Sequence, residues 1–352
     1  MYELSATQRN QLIDFRECFI EYQEVTEIYK TFDRMILNGS LGGEQESLLL
    51  TGDTGSGKSA LIHNYVNRFP ESKGLWSDMP VLNTRIPAKV KEQNVLERLL
   101  LDLESITSSR MKHKSREGSL TTHLIKQLRR KNVRLIIVNE IQELIEFKDE
   151  EERQRIVNTF KMISEGAQVA FVLVGMPYSA LLTEESQWNS RLSLQRHLDY
   201  FHLFKKLKNG QLVPDGKGKM HFAKFVAGLA SRMGFDSRPN LTSDDILLPL
   251  FAVCRGECRV LKHFLDDVLL DALTESSLTI DKSRLAATFG NKFPDAKHNP
   301  FLQNLEDLEL YELEVETKYR KDAKYTEDRL VGRQFTNALP LSMLLTKHPL
   351  KA

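Results

Sequence analysis

Gly52-Asp53-Thr54-Gly55-Ser56-Gly57-Lys58-Ser59 fits G-x-x-x-x-G-K-[ST] at every fixed position. The flanking residues supply the setting that pattern needs. Before it runs Ser47-Leu48-Leu49-Leu50-Thr51, a short apolar strand, and after it Ala60-Leu61-Ile62-His63-Asn64-Tyr65-Val66 has the spacing of an amphipathic helix. A glycine-rich turn between strand and helix lets backbone N–H groups point at phosphate oxygens, and the helix N-terminus adds its positive dipole end. Lys58 is then placed to reach the β- and γ-phosphates, and the Ser59 hydroxyl to ligate magnesium. The stretch predicts a nucleoside triphosphate site with Mg2+ beside the phosphates.

Working outward, further strands alternate with helices. Pro80-Val81-Leu82-Asn83-Thr84-Arg85-Ile86 reads as a strand closed by Pro87, and helical periods follow over 90–105 and 120–130. Val133-Arg134-Leu135-Ile136-Ile137-Val138 is a continuous apolar run of the kind a strand buried on both faces needs. A helix at about 150–165 leads to Val169-Ala170-Phe171-Val172-Leu173-Val174, another such run. The alternation predicts an α/β domain, a parallel sheet with helices on both faces, over 46–205. Helices over 1–45 lead into it, with a break near Phe19-Ile20-Glu21-Tyr22 that either packs on the base of the nucleotide or fills the core. Residues 206–290 read as a helical lid, and 291–352 as a loosely attached tail whose apolar islands Phe301, Tyr311, Phe335 and Leu339 to Leu345 suit ordering on a partner. Removing 305–352 is therefore expected to spare nucleotide binding.

Composition sets outer limits. The 352 residues suffice for one large and one smaller domain, and the formal net charge of +1 means that a nucleic-acid partner must meet a local basic patch. Cys18, Cys254 and Cys258 are too few for a disulfide framework and suit a reducing compartment. Cys254, Cys258 and His263 lie in an apolar helical run, so buried thiols are expected there rather than a metal site. No charged-then-apolar leader and no membrane-length apolar run is seen, which predicts a cytoplasmic location.

The second chemical element is the strand end Val138-Asn139-Glu140. A P-loop enzyme needs an acidic group opposite the loop, near magnesium and the attacking water. Glu140 is placed to orient that water as a general base. Asn139 stands where an aspartate is usual; its amide can still meet a magnesium-bound water but brings no charge, which predicts slow turnover.

The order P-loop, apolar strand with Asn139-Glu140-Ile141-Gln142, Val174-Gly175-Met176-Pro177 and helical lid resembles the AAA+ ATPases. Over roughly residues 12–290 it is similar to the transposition regulators TnsC and TniB, including those of CRISPR-associated transposons. The resemblance implies an ATP-dependent homo-oligomer, ring or filament, on double-stranded DNA. It would link target recognition to a transposase in the bacterial cytoplasm. It also implies roles for single residues. Arg191, with Arg196 second, matches the arginine finger that a neighbouring subunit inserts, and Arg259 matches the lid arginine that meets the γ-phosphate. Met176 departs from the polar residue often found at the tip of the fourth strand, and again points to weak hydrolysis. Segments near Lys89, Lys91, Lys112, Lys114 and Arg116 would line the inner face of the assembly, with the helix start near Ser119-Thr121 offering amides to a phosphate. Competing readings are another AAA+ initiator or loader, and a P-loop kinase acting on a small molecule; the Glu140 strand end and the lid with Arg259 argue against the kinase.

Overall fold

Five short strands, β1 (Ser47–Thr51), β2 (Val81–Arg85), β3 (Leu135–Asn139), β4 (Ala170–Gly175) and β5 (Leu194–His197), pair in the order β2-β3-β4-β1-β5. All four pairings are parallel. The structure is a computed structural model and describes residues 4–69, 78–86, 92–104, 120–146, 150–184, 192–339 and 341–345. β1 and β4 are buried along their whole length because helices cover both faces. Alternate residues serve the two faces. Leu48 and Leu50 meet α2 (Gln23–Ser40) and α3 (Lys58–Val66), whereas Leu49, Ile136 and Phe171 meet α4 (Glu92–Glu104), α5 (Leu120–Arg130) and α7 (Glu150–Ala167). A short α6 (Glu143–Glu146) follows β3, and a 3-10 turn (Pro177–Glu184) follows β4. The order puts β1 between β4 and β5, so the loop leaving β1 opens beside the ends of β4 and β3. The sheet expected from the alternation is present.

The second hydrophobic core is helical. It joins α8 (Gly216–Ser231), α9 (Asp244–Cys254), α10 (Cys258–Thr274) and α11 (Lys282–Lys292) behind a small antiparallel pair, β6 (Phe204–Lys206) with β7 (Leu212–Pro214). The first helix, α1 (Ala6–Glu17), belongs to this body, although the reading of 1–45 as a lead-in to the α/β domain places it elsewhere. Leu12 and Phe15 sit in the helical core, and Arg16 forms a two-pronged pair with Asp266 of α10 at 2.9–3.1 Å. Periodicity reports that a helix has an apolar face, not which neighbour that face meets.

The C-terminal segment is not a loose tail. Phe301 is buried and stacks on Phe264 at 5.7 Å, and Leu308, Leu310, Leu339 and Leu341 enter the same helical core. Each such side chain contributes about 2 kcal/mol on burial, so five of them tether the segment firmly. Between these anchors the chain leaves the lid as two short ribbons, β8 (Leu313–Val315) with β11 (Gln334–Phe335) and β9 (Lys318–Tyr319) with β10 (Leu330–Val331). Tyr319 reaches the α/β domain and stacks on Tyr178 at 5.9 Å. The segment is thus a strap from lid to sheet domain. It shows no period because its pieces are two or three residues long and insert their apolar side chains singly. Among the described residues, no helix is long and apolar enough to cross a membrane.

Candidate nucleotide site

The loop after β1 has the backbone its glycines allow. Gly55 and Gly57 adopt φ of +81° and +106°, and Gly57 is the N-cap of α3. Gly52 has no room for a side chain, since a Cβ there would lie 2.6 Å from the Leu198 carbonyl oxygen. Lys58 folds back over the loop and donates to the carbonyl oxygens of Gly52 at 2.6 Å and Asp53 at 2.9 Å. Burial lowers its pKa to about 8, against the opposing pull of Asp53 and Glu140. The Ser56 hydroxyl is buried without a protein partner. An orphaned buried donor, a desolvated lysine and a backbone cradle are what a polyphosphate satisfies, so the site fits a nucleotide. Ser59 is exposed on the first turn of α3.

The loop floors a cavity of about 330 Å³ between the two bodies. At its phosphate end stand Lys58, Ser59, Asn139 and Glu140; at the other end stand Phe19, Ile20, Tyr22, Phe225 and Leu229. Tyr22 also packs on Phe201 and Phe225 at 5.4 and 5.7 Å, so the break in the N-terminal helices both lines the cavity and fills the core. The lid contributes Arg259, exposed at the cavity edge, whose backbone N–H donates to Gly55 O at 3.2 Å. Lys262, one turn along α10, donates to the carbonyl oxygens of Arg16 and Cys18 at 2.8 and 2.6 Å and holds the apolar wall in place. Cys254 and Cys258 are buried thiols, and burial pushes Cys258 up to about 12.

At the end of β3 the Asn139 amide N–H donates to Asn83 Oδ1 at 2.7 Å and to the Thr84 carbonyl at 2.9 Å, leaving Oδ1 to act as acceptor. A hard cation would find there the Ser59 hydroxyl and the Asn139 oxygen, two neutral ligands suited to magnesium beside phosphates. Glu140 has φ of +60°, which turns its side chain off the strand. Its carboxylate is 3.8 Å from Arg85 and accepts from Gln142 Nε2 at 2.5 Å. Gln142 in turn accepts the Met176 N–H at 3.3 Å through Oε1. A buried glutamine thereby bridges Glu140 to the tip of β4, where Met176 offers no polar side chain. The motif Asn139-Glu140-Ile141-Gln142 does not announce this task for Gln142, since a loop residue gives no sign of which strand end it faces.

The other expected residues divide. Arg191, Lys89, Lys91, Lys112, Lys114 and Arg116 lie outside the described residues. Thr121 is half-buried in the first turn of α5. Arg196 is exposed on the edge strand β5 and, among the described residues, donates to the carbonyl of Gln195. The strap contributes residues that no motif announces. Thr317 binds the Asp53 carboxylate, Glu316 joins Asp199 in an ion-pair cluster around His197, and Glu312 pairs with His202 at 3.3 Å.

The model of the family described as "Bacterial TniB protein" matches residues 13–202, more than half of the chain. A comparison with curated protein sequences gives no match. Among solved structures, the chain is similar to the ORC2 protein of Aeropyrum pernix in ADPNP–ADP complexes (TM-score 0.53, 14% identity, 83% of this chain and 74% of that one). It is also similar to Cdc6p of Pyrobaculum aerophilum (0.53, 11%, 79% and 70%) and to Drosophila ORC bound to DNA (0.50, 10%, 84% and 69%). These similarities are of fold. With a P-loop facing the ends of β3 and β4 and a helical lid over the cavity, the chain has the AAA+ ATPase fold and belongs to the TniB family.

Proposed function

We propose that the protein is an ATP-dependent regulator of DNA transposition that assembles on duplex DNA and links target-site selection to a transposase. The observation that carries the nucleotide part is the cavity closed by loop 52–59, Glu140 and Arg259, with the Ser56 hydroxyl and Lys58 left for phosphates. Lys58 and the loop amides hold the polyphosphate, and Phe19, Ile20 and Tyr22 pack on the base. Ser59 would ligate magnesium and Asn139 meet it through a bound water, and the ion would neutralise charge at the phosphates. Glu140, released from Gln142, orients the attacking water, and Arg259 meets the γ-phosphate from the lid. With Asn139 neutral, turnover is slow and the ATP-bound assembly persists.

Membership of the TniB family and a fold shared with a DNA-bound ORC support the DNA and assembly parts. Arg191 of a neighbouring subunit completes the site, and Lys89, Lys112, Lys114, Arg116 and Thr121 meet phosphates without reading bases. The division into 46–205, 206–290 and a C-terminal partner-binding segment serves this scheme, with transposase and targeting proteins as partners in the bacterial cytoplasm. The test is imaging of the full chain with duplex DNA and a non-hydrolysable ATP analogue. Wild type should form ordered multimers, Lys58→Ala none, and Arg191→Ala should bind nucleotide without assembling. Normal assemblies from both variants would overturn the shared-site scheme. Phosphate transfer to a metabolite would favour a kinase instead.

A further inference from the structure

Two carboxylates are buried at the phosphate-binding loop, Asp53 within it and Glu257 behind it. Asp53 is 1% exposed and Glu257 5%. Glu257, the residue before α10, lies so close that a Cβ on Gly55 would overlap its carboxylate. Negative charge at that place opposes the work of a loop whose amides, helix terminus and Lys58 gather to hold anions. Both carboxylates are met from the strap. The guanidinium of Arg333 is 2.9 Å from Glu257 Oε2, and the same nitrogen donates to the Thr54 carbonyl at 3.0 Å, inside the loop itself. Thr317 donates its N–H to Asp53 at 2.8 Å and its hydroxyl at 2.9 Å. Tyr200, on the segment leading to the lid, donates to Thr54 O and packs under Arg333.

We infer that Arg333 is a positioning residue of the nucleotide site: it cancels the charge of Glu257 behind Gly55 and fixes the Thr54 carbonyl, so that the loop amides stay turned toward the phosphates. This rests on the reading of the cavity as a nucleotide site. Removing Arg333, itself partly exposed, leaves the buried Glu257 carboxylate as an uncompensated charge within reach of the polyphosphate. At the effective dielectric of a protein interior such a charge is worth on the order of tenfold in binding. The coupling is reciprocal, so bound nucleotide holds the strap in place by the same factor. It also reverses one expectation from the sequence: a chain lacking 305–352 loses Thr317 and Arg333, and nucleotide binding weakens with them.

The test is titration of the full-length protein with a fluorescent ATP analogue, comparing wild type, Arg333→Met, Arg333→Lys, Glu257→Gln and the double variant Arg333→Met/Glu257→Gln. Arg333→Met should weaken binding about tenfold, Arg333→Lys less, and Glu257→Gln not at all. The double variant should recover most of the loss, which a merely structural arginine would not permit. Equal binding by wild type and Arg333→Met, or no recovery in the double variant, overturns the inference. Should Arg333→Met not fold, hydrogen exchange on wild type decides: nucleotide should slow exchange over 312–336, and unchanged exchange there overturns the proposal. Wild type that binds no nucleotide, with Lys58→Ala indistinguishable from it, refutes the nucleotide reading itself.

Discussion

Replacing Asn139 with aspartate tests the strand-end chemistry, and the structure makes its outcome two-sided. The Asn139 amide donates to Asn83 Oδ1 at 2.7 Å and to the Thr84 carbonyl at 2.9 Å. A carboxylate only accepts. Asn83 can turn its own amide to donate, but the Thr84 carbonyl belongs to β2 and cannot. Asn139→Asp therefore loses one hydrogen bond and sets a carboxylate oxygen against a backbone oxygen, a cost of about 1–3 kcal/mol to the metal-free fold. Magnesium with nucleotide reverses the sign, because the new charge faces the cation. Supplying one such transition-state interaction is worth about 3 kcal/mol, or roughly a hundredfold in rate. Calorimetric melting without ligand should show Tm lowered by a few degrees, a deficit that Mg–nucleotide removes, while phosphate release speeds up and the DNA-bound assembly becomes shorter-lived. An unchanged melt together with unchanged turnover would refute this account of Asn139. So would wild-type turnover already near tens per second, a rate common among enzymes generally.

Two further predictions follow from charge. Burial holds Lys58 at about 8, so a large fraction of it is neutral at pH 8 before ligand arrives. Polyphosphate restores its charge, and calorimetric titrations in two buffers of different ionisation enthalpy should show proton uptake at pH 8 that vanishes near pH 6.5; equal enthalpies at pH 8 would contradict it. His197 is desolvated, which alone would lower its pKa, but hydrogen bonds to Asp199 and Glu316 raise it to about 9. The folded value lies above the unfolded one, so its contribution to anchoring the strap is complete below about pH 6.5 and is lost as pH rises to about 9. Strap protection measured across that window should fall in wild type and stay flat in His197→Gln, and a flat wild-type profile would rule the pair out as an anchor.

Much of the ATPase domain was legible in the chain because its signals are local. Gly52 to Ser59 dictate a loop by backbone geometry alone, and runs such as Leu135 to Val138 announce strands covered on both faces. Asn139 and Glu140 could be placed at the site because the end of an apolar strand is itself a position in the fold. Pairings between distant segments were not legible. Nothing in Thr317 or Arg333 shows that they meet Asp53 and Glu257, because each contact joins residues far apart in the chain that only the packing of strap, lid and sheet domain brings together. Gln142 gains its role from the neighbour that β4 becomes to β3, and α1 joins the lid through one face that would have suited either core. Local chemistry wrote the phosphate loop into the sequence. The partners that hold that loop were decided only when separate segments were brought to one place, since a carboxylate buried there requires hydrogen-bond donors or an opposite charge.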